Sequence, residues 1–449
     1  MKVSHYTIPL KLQENEYLLI NSRTGAVDLV NSNIVDILQG TLHSSEVDPS
    51  IVDFFVERGH LTDMSQEEEL KYLETLYRKY YEVHSKFKTH MIIPTYNCNF
   101  QCSYCYLSDI QSKDSQWLNT VIDDDHIERL FKVITHIDGS HRGRLVLYGG
   151  EPLLLKNKKV IENILKRGTM LGYRFTITTN GVSLSDFLDV IQIYNPVLQI
   201  TIDGPQSKHD SRRIKKDGSG TFNEILAGVD AALESNLTIL LRMNLDSKNL
   251  DTLPQMIDFY REKGFYNNPN ISIHFSPVFQ KSCGTYEFSI PRKDVYKAVV
   301  SQTAKQREIS QISFDLQGIK MFETIFQKGG IESPRFWYCD ANLGMFIYDP
   351  FGDIYVCTEH IGQESTRAGQ YYPKLSWNDS CKRWRERTVF TIPECRKCKY
   401  APFCGGGCGF EALKHYSTLS KPICSNFPNI FNLVIPHLYK TLRDDYVQT

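Results

Sequence analysis

The chain has 449 residues, 41% of them hydrophobic, enough to fill a sizeable core and to form two or three domains. Its 51 basic residues balance 52 acidic ones, and the formal net charge of −1 excludes a global field steering it to nucleic acid or acidic lipid. The sequence has no run of about 18 apolar residues to span a membrane, and its start, MKVSHYTIPLKLQENEYLL, lacks the charged-then-apolar pattern of a secretory signal.

Residues 1 to about 64 read as short β segments, YLLI and GAVDLV, followed by helical pieces around NIVDILQG and SIVDFFVERG. This predicts a small α+β module. The run 65–87, SQEEELKYLETLYRKYYEVHSKF, is charged, repeats Leu and Tyr, and contains neither Gly nor Pro, as a connecting helix would.

From residue 90 an apolar β run, a loop and an amphipathic helix recur. The predicted strands are 89–96, 144–150, 174–181, 197–204, 237–245 and 271–279. Such alternation predicts an α/β fold, a partial (β/α)6 TIM-like barrel of mostly parallel strands with right-handed crossovers. Ligands then belong beyond the carboxyl ends of the strands, where YGGEP, TTNG and TIDGP fall. After about residue 335 come cysteine-rich loops, the short strands MFIYDP and DIYVC, and the run CGGGCG, which together suggest a small domain held by metal clusters instead of a large core. The predicted division is an amino-terminal module (1–88), a barrel (89–330) and a cysteine-rich domain (331–449).

Twelve cysteines in a chain expected to work in the reducing cytoplasm point to metal ligation, because disulfides seldom persist there. Cys98, Cys102 and Cys105 follow the first barrel strand at C-x3-C-x2-C, so one tight loop carries three soft thiolates. Three ligands leave one iron of a four-iron cluster open to a substrate. A structural zinc would want a fourth ligand close by, and the following YLSDIQSKD offers no Cys or His.

The loop YNCNFQCSYCYL resembles the signature of the radical S-adenosylmethionine enzymes. The resemblance implies a [4Fe-4S] cluster on Cys98, Cys102 and Cys105 whose open iron binds S-adenosylmethionine, and cleavage of that cofactor to a 5′-deoxyadenosyl radical that abstracts hydrogen from substrate. It further implies an adenine contact at Tyr104, backbone reception of the cofactor's amino group along Gly149, Gly150, Glu151 and Pro152, and ribose contacts from Thr178 and Asn180. Arg242 is expected to grip the methionine carboxylate. Asp203 matches a recurring acidic position.

Cys339, Cys357, Cys395, Cys398, Cys404, Cys408 and Cys424 resemble the SPASM domain, which holds two auxiliary [4Fe-4S] clusters; zinc ribbons are the alternative. The resemblance implies one cluster on Cys395, Cys398, Cys404 and Cys424 and another on Cys339, Cys357 and Cys408, its fourth position either taken by Cys381 or left open. Cys283 is expected to be a spare thiol. Gly405 to Gly407 fit a close backbone approach to a cluster.

Enzymes that this pair of domains resembles mostly modify peptides. The expected function is a maturase of a ribosomally made precursor peptide, installing a thioether or other crosslink or epimerising a residue, with electrons from a flavodoxin or ferredoxin. An anaerobic sulfatase-maturating enzyme is the alternative. The amino-terminal module weakly resembles a leader-recognition module in size and placement, and Thr358, Glu359 and His360 stand after Cys357 where the sulfatase maturases carry an Asp that serves as the base. A non-catalytic electron-transfer protein would need none of GGEP, TTNG or Arg242.

Overall fold

A computed structural model describes residues 1–39, 48–278, 289, 291–303, 313–314, 334–424 and 427–447. Cys283 and the boundary expected at 330 lie outside the described residues. The chain divides into two compact units, Met1–Val83 with Leu316–Cys339 and Arg387–Thr449, and His84–Asp315 with Asp340–Glu386.

The first unit contains β1 (Lys2–Val3), β2 (Thr7–Gln13), β3 (Glu16–Asn21), β4 (Val27–Val30) and β5 (Leu61–Thr62). β2, β3 and β4 form an antiparallel meander, and β1 pairs with β5. Helices Ser32–Leu38 and Pro49–Glu57 follow the meander, capped by Asn31 and Asp48 side chains that accept the first free amides. The charged run forms the helix Gln66–His84. One of its carboxylates is nonetheless buried: Glu69 accepts from the amide of His5 at 3.0 Å and pairs with Arg23 at 3.1 Å. The core of this unit joins Tyr6 and Leu73 to Phe336, Val389, Ile392, Cys395 and Ala401, so amino- and carboxyl-terminal segments share one apolar interior.

The second unit is built on β6 (Thr89–Ile92), β7 (Arg144–Leu147), β8 (Arg174–Thr179), β9 (Val197–Thr201), β10 (Ile239–Leu245), β11 (Ile271–Pro277), β12 (Ser313–Phe314), β13 (Met345–Tyr348), β14 (Asp353–Tyr355), β15 (Gly369–Gln370) and β16 (Ser376–Trp377). β6 to β12 are parallel in chain order, the arrangement the alternating pattern predicts. β13 lies parallel to β6, and β14 to β16 continue antiparallel beyond it in the same sheet. Sequence reading assigned β13 and β14 to a separate metal-held region; backbone pairing of Met345–Tyr348 with Thr89–Ile92 draws them into the barrel sheet instead. The crossover helices, such as Asp124–Asp138 and Lys158–Met170, bury Ile127, Leu130, Ile134, Ile161 and Leu165 against the sheet.

A buried polar knot fastens the sheet away from its ligand-binding edge. His90 Nε2 meets Asp138 Oδ1 at 2.8 Å, His90 Nδ1 meets the Tyr348 hydroxyl at 2.9 Å, and Tyr173 donates to Asp138 Oδ2 at 2.8 Å. Burial alone would raise the Asp138 pKa, but the bonds from His90, Tyr173 and the Gly143 amide outweigh it and hold the carboxyl below its usual range. A carboxyl with a depressed folded pKa contributes stability above its unfolded pKa, and that contribution fades as pH falls through the folded value. Asp138→Asn is therefore expected to cost about 3 kcal/mol at pH 7 and to flatten the acid limb of stability. Chemical denaturation at pH 7 and pH 4 checks this; an unchanged acid limb would count against it.

Candidate active site

β6 ends at Ile92, and the chain passes through Thr95 to Asn97 into the cysteine loop. The end of β7 clamps that entry: the Gly150 amide donates to Thr95 O at 3.2 Å and the Glu151 amide to Asn97 O at 2.8 Å. So close a crossing needs glycine. Gly149 has φ +124°, and a Cβ on Gly150 would lie 2.1 Å from Asn97 O. On its other side the loop is pinned by residues 212–216, with the Gln101 amide on Ile214 O at 2.8 Å and the Ser103 amide on Arg212 O at 3.0 Å.

Cys98, Cys102 and Cys105 line a cavity of about 290 Å³, near the lower end of the range for small-ligand sites. Tyr104, Gly149, Gly150, Glu151, Thr178, Asn180 and Arg242 line it too, so the residues named from sequence are gathered in one place. The strand period explains this. Along β10, Ile239, Leu241, Met243 and Leu245 are buried toward the helices, which turns Arg242 and Asn244 to the inner face. Register then sets Arg242 beside Thr201 of β9, and Thr178 of β8 beside Gln199. Gln199, Thr201 and Asn244 also line the cavity and were not named from sequence, although the same alternation marks them.

Glu151 faces inward as a tie between strand ends. It is 1% exposed and accepts from the Leu153 amide at 2.8 Å, the Thr179 hydroxyl at 2.7 Å and the Asn180 amide at 2.6 Å. Asn180 Nδ2 reaches Asn99 Oδ1 at 2.7 Å, joining the end of β8 to the cysteine loop. Arg242 is steered by Asn244 Oδ1 at 2.9 Å and Ser276 Oγ at 2.7 Å.

Two residues named from sequence stand outside the cavity lining. Pro152 turns its carbonyl to Asn157 Nδ2 at 3.1 Å. Asp203 is fully buried one layer back, where it accepts from the Tyr104 hydroxyl and from the Asn244 amide at 2.8 Å and lies 3.5 Å from Arg212 Nε. Its role is to orient Tyr104 and Asn244. His209 supports it: burial pushes its pKa down to about 4, so the neutral ring accepts the Asp203 amide at Nδ1.

Arg212 and Arg213, which sequence reading passed over, complete this layer. The Arg212 guanidinium lies 4.8 Å from the Tyr104 ring centre and pairs with Asp246, while Arg213 donates to the Tyr104 hydroxyl at 2.8 Å. Tyr106, Tyr148, Thr358 and Glu359 also line the cavity.

The donor set fits a polynuclear cluster. Burial pushes the Cys98 and Cys102 thiols up, and Glu151 adds to the effect at Cys98, so bare thiolates are disfavoured until positive metal charge compensates them. Three soft thiolates on one loop suit a four-iron cluster, which takes each thiolate on its own iron.

The carboxyl-terminal cysteines of the first unit form a second gathering. The Cys395 thiol is pushed up to about 12, first by burial and then by Cys404, Cys398 and Cys424, so the four cysteines expected to share a cluster are neighbours. Gly405, Gly406 and Gly407 all have positive φ, and Cβ atoms on Gly405 and Gly407 would lie 2.5 Å from Trp337 O and 1.9 Å from Ile423 O. The glycine run thereby threads Cys404 and Cys408 past Tyr338–Cys339 and Ile423–Cys424. Cys357 is buried in the second unit after β14. Cys381 lies half-buried on the helix Asp379–Arg385, its thiol bonded to Arg385.

The family model of the Radical SAM superfamily matches residues 92–260. The radical SAM cyclopropyl synthase TigE of Paramaledivibacter caminithermalis is 22% identical over 93% of this chain and 91% of its own length. A cysteine-type anaerobic sulfatase-maturating enzyme of Clostridium novyi is 20% identical over 76% of this chain and 93% of its own. The fold is also that of Streptococcus suis SuiB bound to precursor peptide SuiA, with a TM-score of 0.55, 15% identity, and 94% of this chain and 98% of that one covered.

Proposed function

Because the chain is a radical SAM enzyme with a cysteine-rich carboxyl-terminal extension, we propose that it modifies a ribosomally made precursor peptide in the cytoplasm, drawing electrons from a flavodoxin or ferredoxin. The cavity shared by the three loop thiols and the strand-end residues carries this reading. When bound, the cluster and S-adenosylmethionine supply a carbon radical able to take hydrogen from an unactivated position. This chain's residues do the holding. Cys98, Cys102 and Cys105 ligate the cluster, Arg242 receives the carboxylate of the methionine moiety, and Gly149 and Gly150 leave backbone open to its amino group. Tyr104, fixed by Arg213 and Asp203, presents its ring to adenine. Seven further cysteines are assigned to two auxiliary clusters, Cys395, Cys398, Cys404 and Cys424 for one and Cys339, Cys357 and Cys408 for the other.

The amino-terminal sheet supports a peptide substrate. β4 lies at one edge of the meander, and Leu29 on it is 49% exposed, as a strand awaiting a peptide partner would be. The structure of SuiB with its precursor peptide covers 94% of this chain, against 80% for that of anSMEcpe. One observation favours the second reading, formylglycine formation on a sulfatase: Glu359 reaches the cavity, where it could serve as the base.

Anaerobic coexpression with a short cysteine- or aromatic-rich precursor, followed by mass spectrometry, separates the two. A loss of two hydrogens indicates a crosslink, and deuterium gain in heavy water at otherwise unchanged mass indicates epimerisation. An aldehyde formed only on a sulfatase peptide would replace the peptide-maturase reading.

A further inference from the structure

We propose that Arg387 is the fixed cation that sets the reduction potential of the carboxyl-terminal iron-sulfur sites. The inference rests on the reading that these cysteines hold clusters. Arg387 is 3% exposed. Its guanidinium donates to Leu419 O and to Lys421 O at 3.0 Å through one nitrogen, and to Gly406 O at 3.0 Å and Gly407 O at 3.2 Å through the other. Nε finds no acceptor among the described residues, and no Asp or Glu among them lies within ion-pair distance of the group.

A buried guanidinium held only by neutral carbonyls is costly, because the desolvation of a full charge is only partly repaid by dipoles. Negative charge is missing from its surroundings, and the thiols supply it. Cys395, Cys408, Cys339 and Cys404 are the groups that act on it electrostatically, against the burial that pulls its pKa down. These four come from both ligand sets: Cys395 and Cys404 from one, Cys339 and Cys408 from the other. As thiolates on iron they balance the guanidinium, and the guanidinium balances them.

The redox consequence follows from charge. One electron from the external reductant makes a thiolate-ligated cluster one unit more negative, with no bond made or broken. A cation beside it in a low-dielectric interior stabilises the reduced form and raises the potential. Arg387 is thus a positioning residue twice over, fixing the glycine run between Cys404 and Cys408 and lending charge to both sets.

The test uses full-length protein with Cys98, Cys102 and Cys105 replaced by Ala, so that only the carboxyl-terminal sites report. This parent, R387K and R387M are reconstituted without air, assayed for iron, and titrated with dithionite and mediators while reduced clusters are followed by EPR. The expected result is a midpoint shifted to more negative potential in R387M and left near the parent's in R387K. R387M with full iron and an unmoved midpoint overturns the inference. If R387M fails to load, R387K decides: normal iron at the parental midpoint supports the role of charge, while lost iron or a shifted midpoint overturns it. Iron in the parent is read first; a parent without iron sinks the cluster reading itself, and this inference with it.

Discussion

Cys102→Ala is expected to abolish 5′-deoxyadenosine release, down to the no-enzyme background, while leaving iron in the carboxyl-terminal segment. The loop supplies all three thiolates to its cluster, so losing one leaves two irons without protein ligands. The rest of the loop should stay in place. Its backbone is held by Gly150 and Glu151 on one side and by residues 212–216 on the other, through bonds that do not involve the Cys102 side chain. The stability cost is therefore expected to be only about 1 kcal/mol, far below what is needed to unfold the unit. Anaerobic incubation with S-adenosylmethionine and dithionite, with chromatographic detection of the nucleoside and an iron count per chain, checks all three statements. Nucleoside release at the wild-type rate from Cys102→Ala would remove the basis of the functional assignment.

Much of this site could be read from sequence because it depends on short-range rules. The family resemblance named Thr178 and Arg242 as cofactor contacts, and both line the cavity because strand alternation turns them to the inner face. Glycine pairs at a strand end signal a close backbone crossing, and Gly149–Gly150 make one against Thr95 and Asn97. What escaped depends on parts of the chain far apart in sequence. Arg212 and Arg213 lie more than a hundred residues from the loop they brace, and nothing in the run SRRIKK distinguishes a buried brace from a solvated basic stretch. Asp203 illustrates the converse. Its position in TIDGP was legible, but whether a carboxylate at a strand end touches ligand or supports the residues that do is set by which side chains fill the space between, here Tyr104 and Asn244. β13 and β14 were expected elsewhere because segments of three or four residues carry no information on their partner strand; only the register of Met345–Tyr348 with Thr89–Ile92 decides it.

The same long-range packing makes the amino-terminal segment more than an appendage. Deleting residues 1–83 is expected to strip iron from the carboxyl-terminal cysteines and leave a chain prone to aggregation. Tyr6 and Leu73 are each 2% exposed in the core they share with Phe336, Val389 and Ile392. Exposing the three that remain, Phe336, Val389 and Ile392, costs on the order of 6 kcal/mol at ~2 kcal/mol each, a large share of the stability of a domain. Polar contacts would go with them, at the cysteines themselves. Ser22 Oγ donates to Lys399 O at 2.6 Å, His5 Nε2 lies 3.1 Å from Lys397 O, and Glu74 pairs with Arg396 at 3.0 Å, so the stretch Arg396–Lys399 that carries Cys398 is held by residues the deletion removes. If this segment were a detachable leader-binding module, the truncated protein would keep its carboxyl-terminal iron and still cleave S-adenosylmethionine. Leu29→Asp distinguishes binding from folding, since Leu29 projects from the edge strand and is half exposed. That variant is expected to retain full iron and wild-type cofactor cleavage while losing modification of a leader-bearing peptide, whereas Leu73→Ala, at about 3 kcal/mol, should lower the thermal midpoint and the carboxyl-terminal iron together. Iron retained after deletion would show that the shared core is dispensable to the cysteine-rich segment.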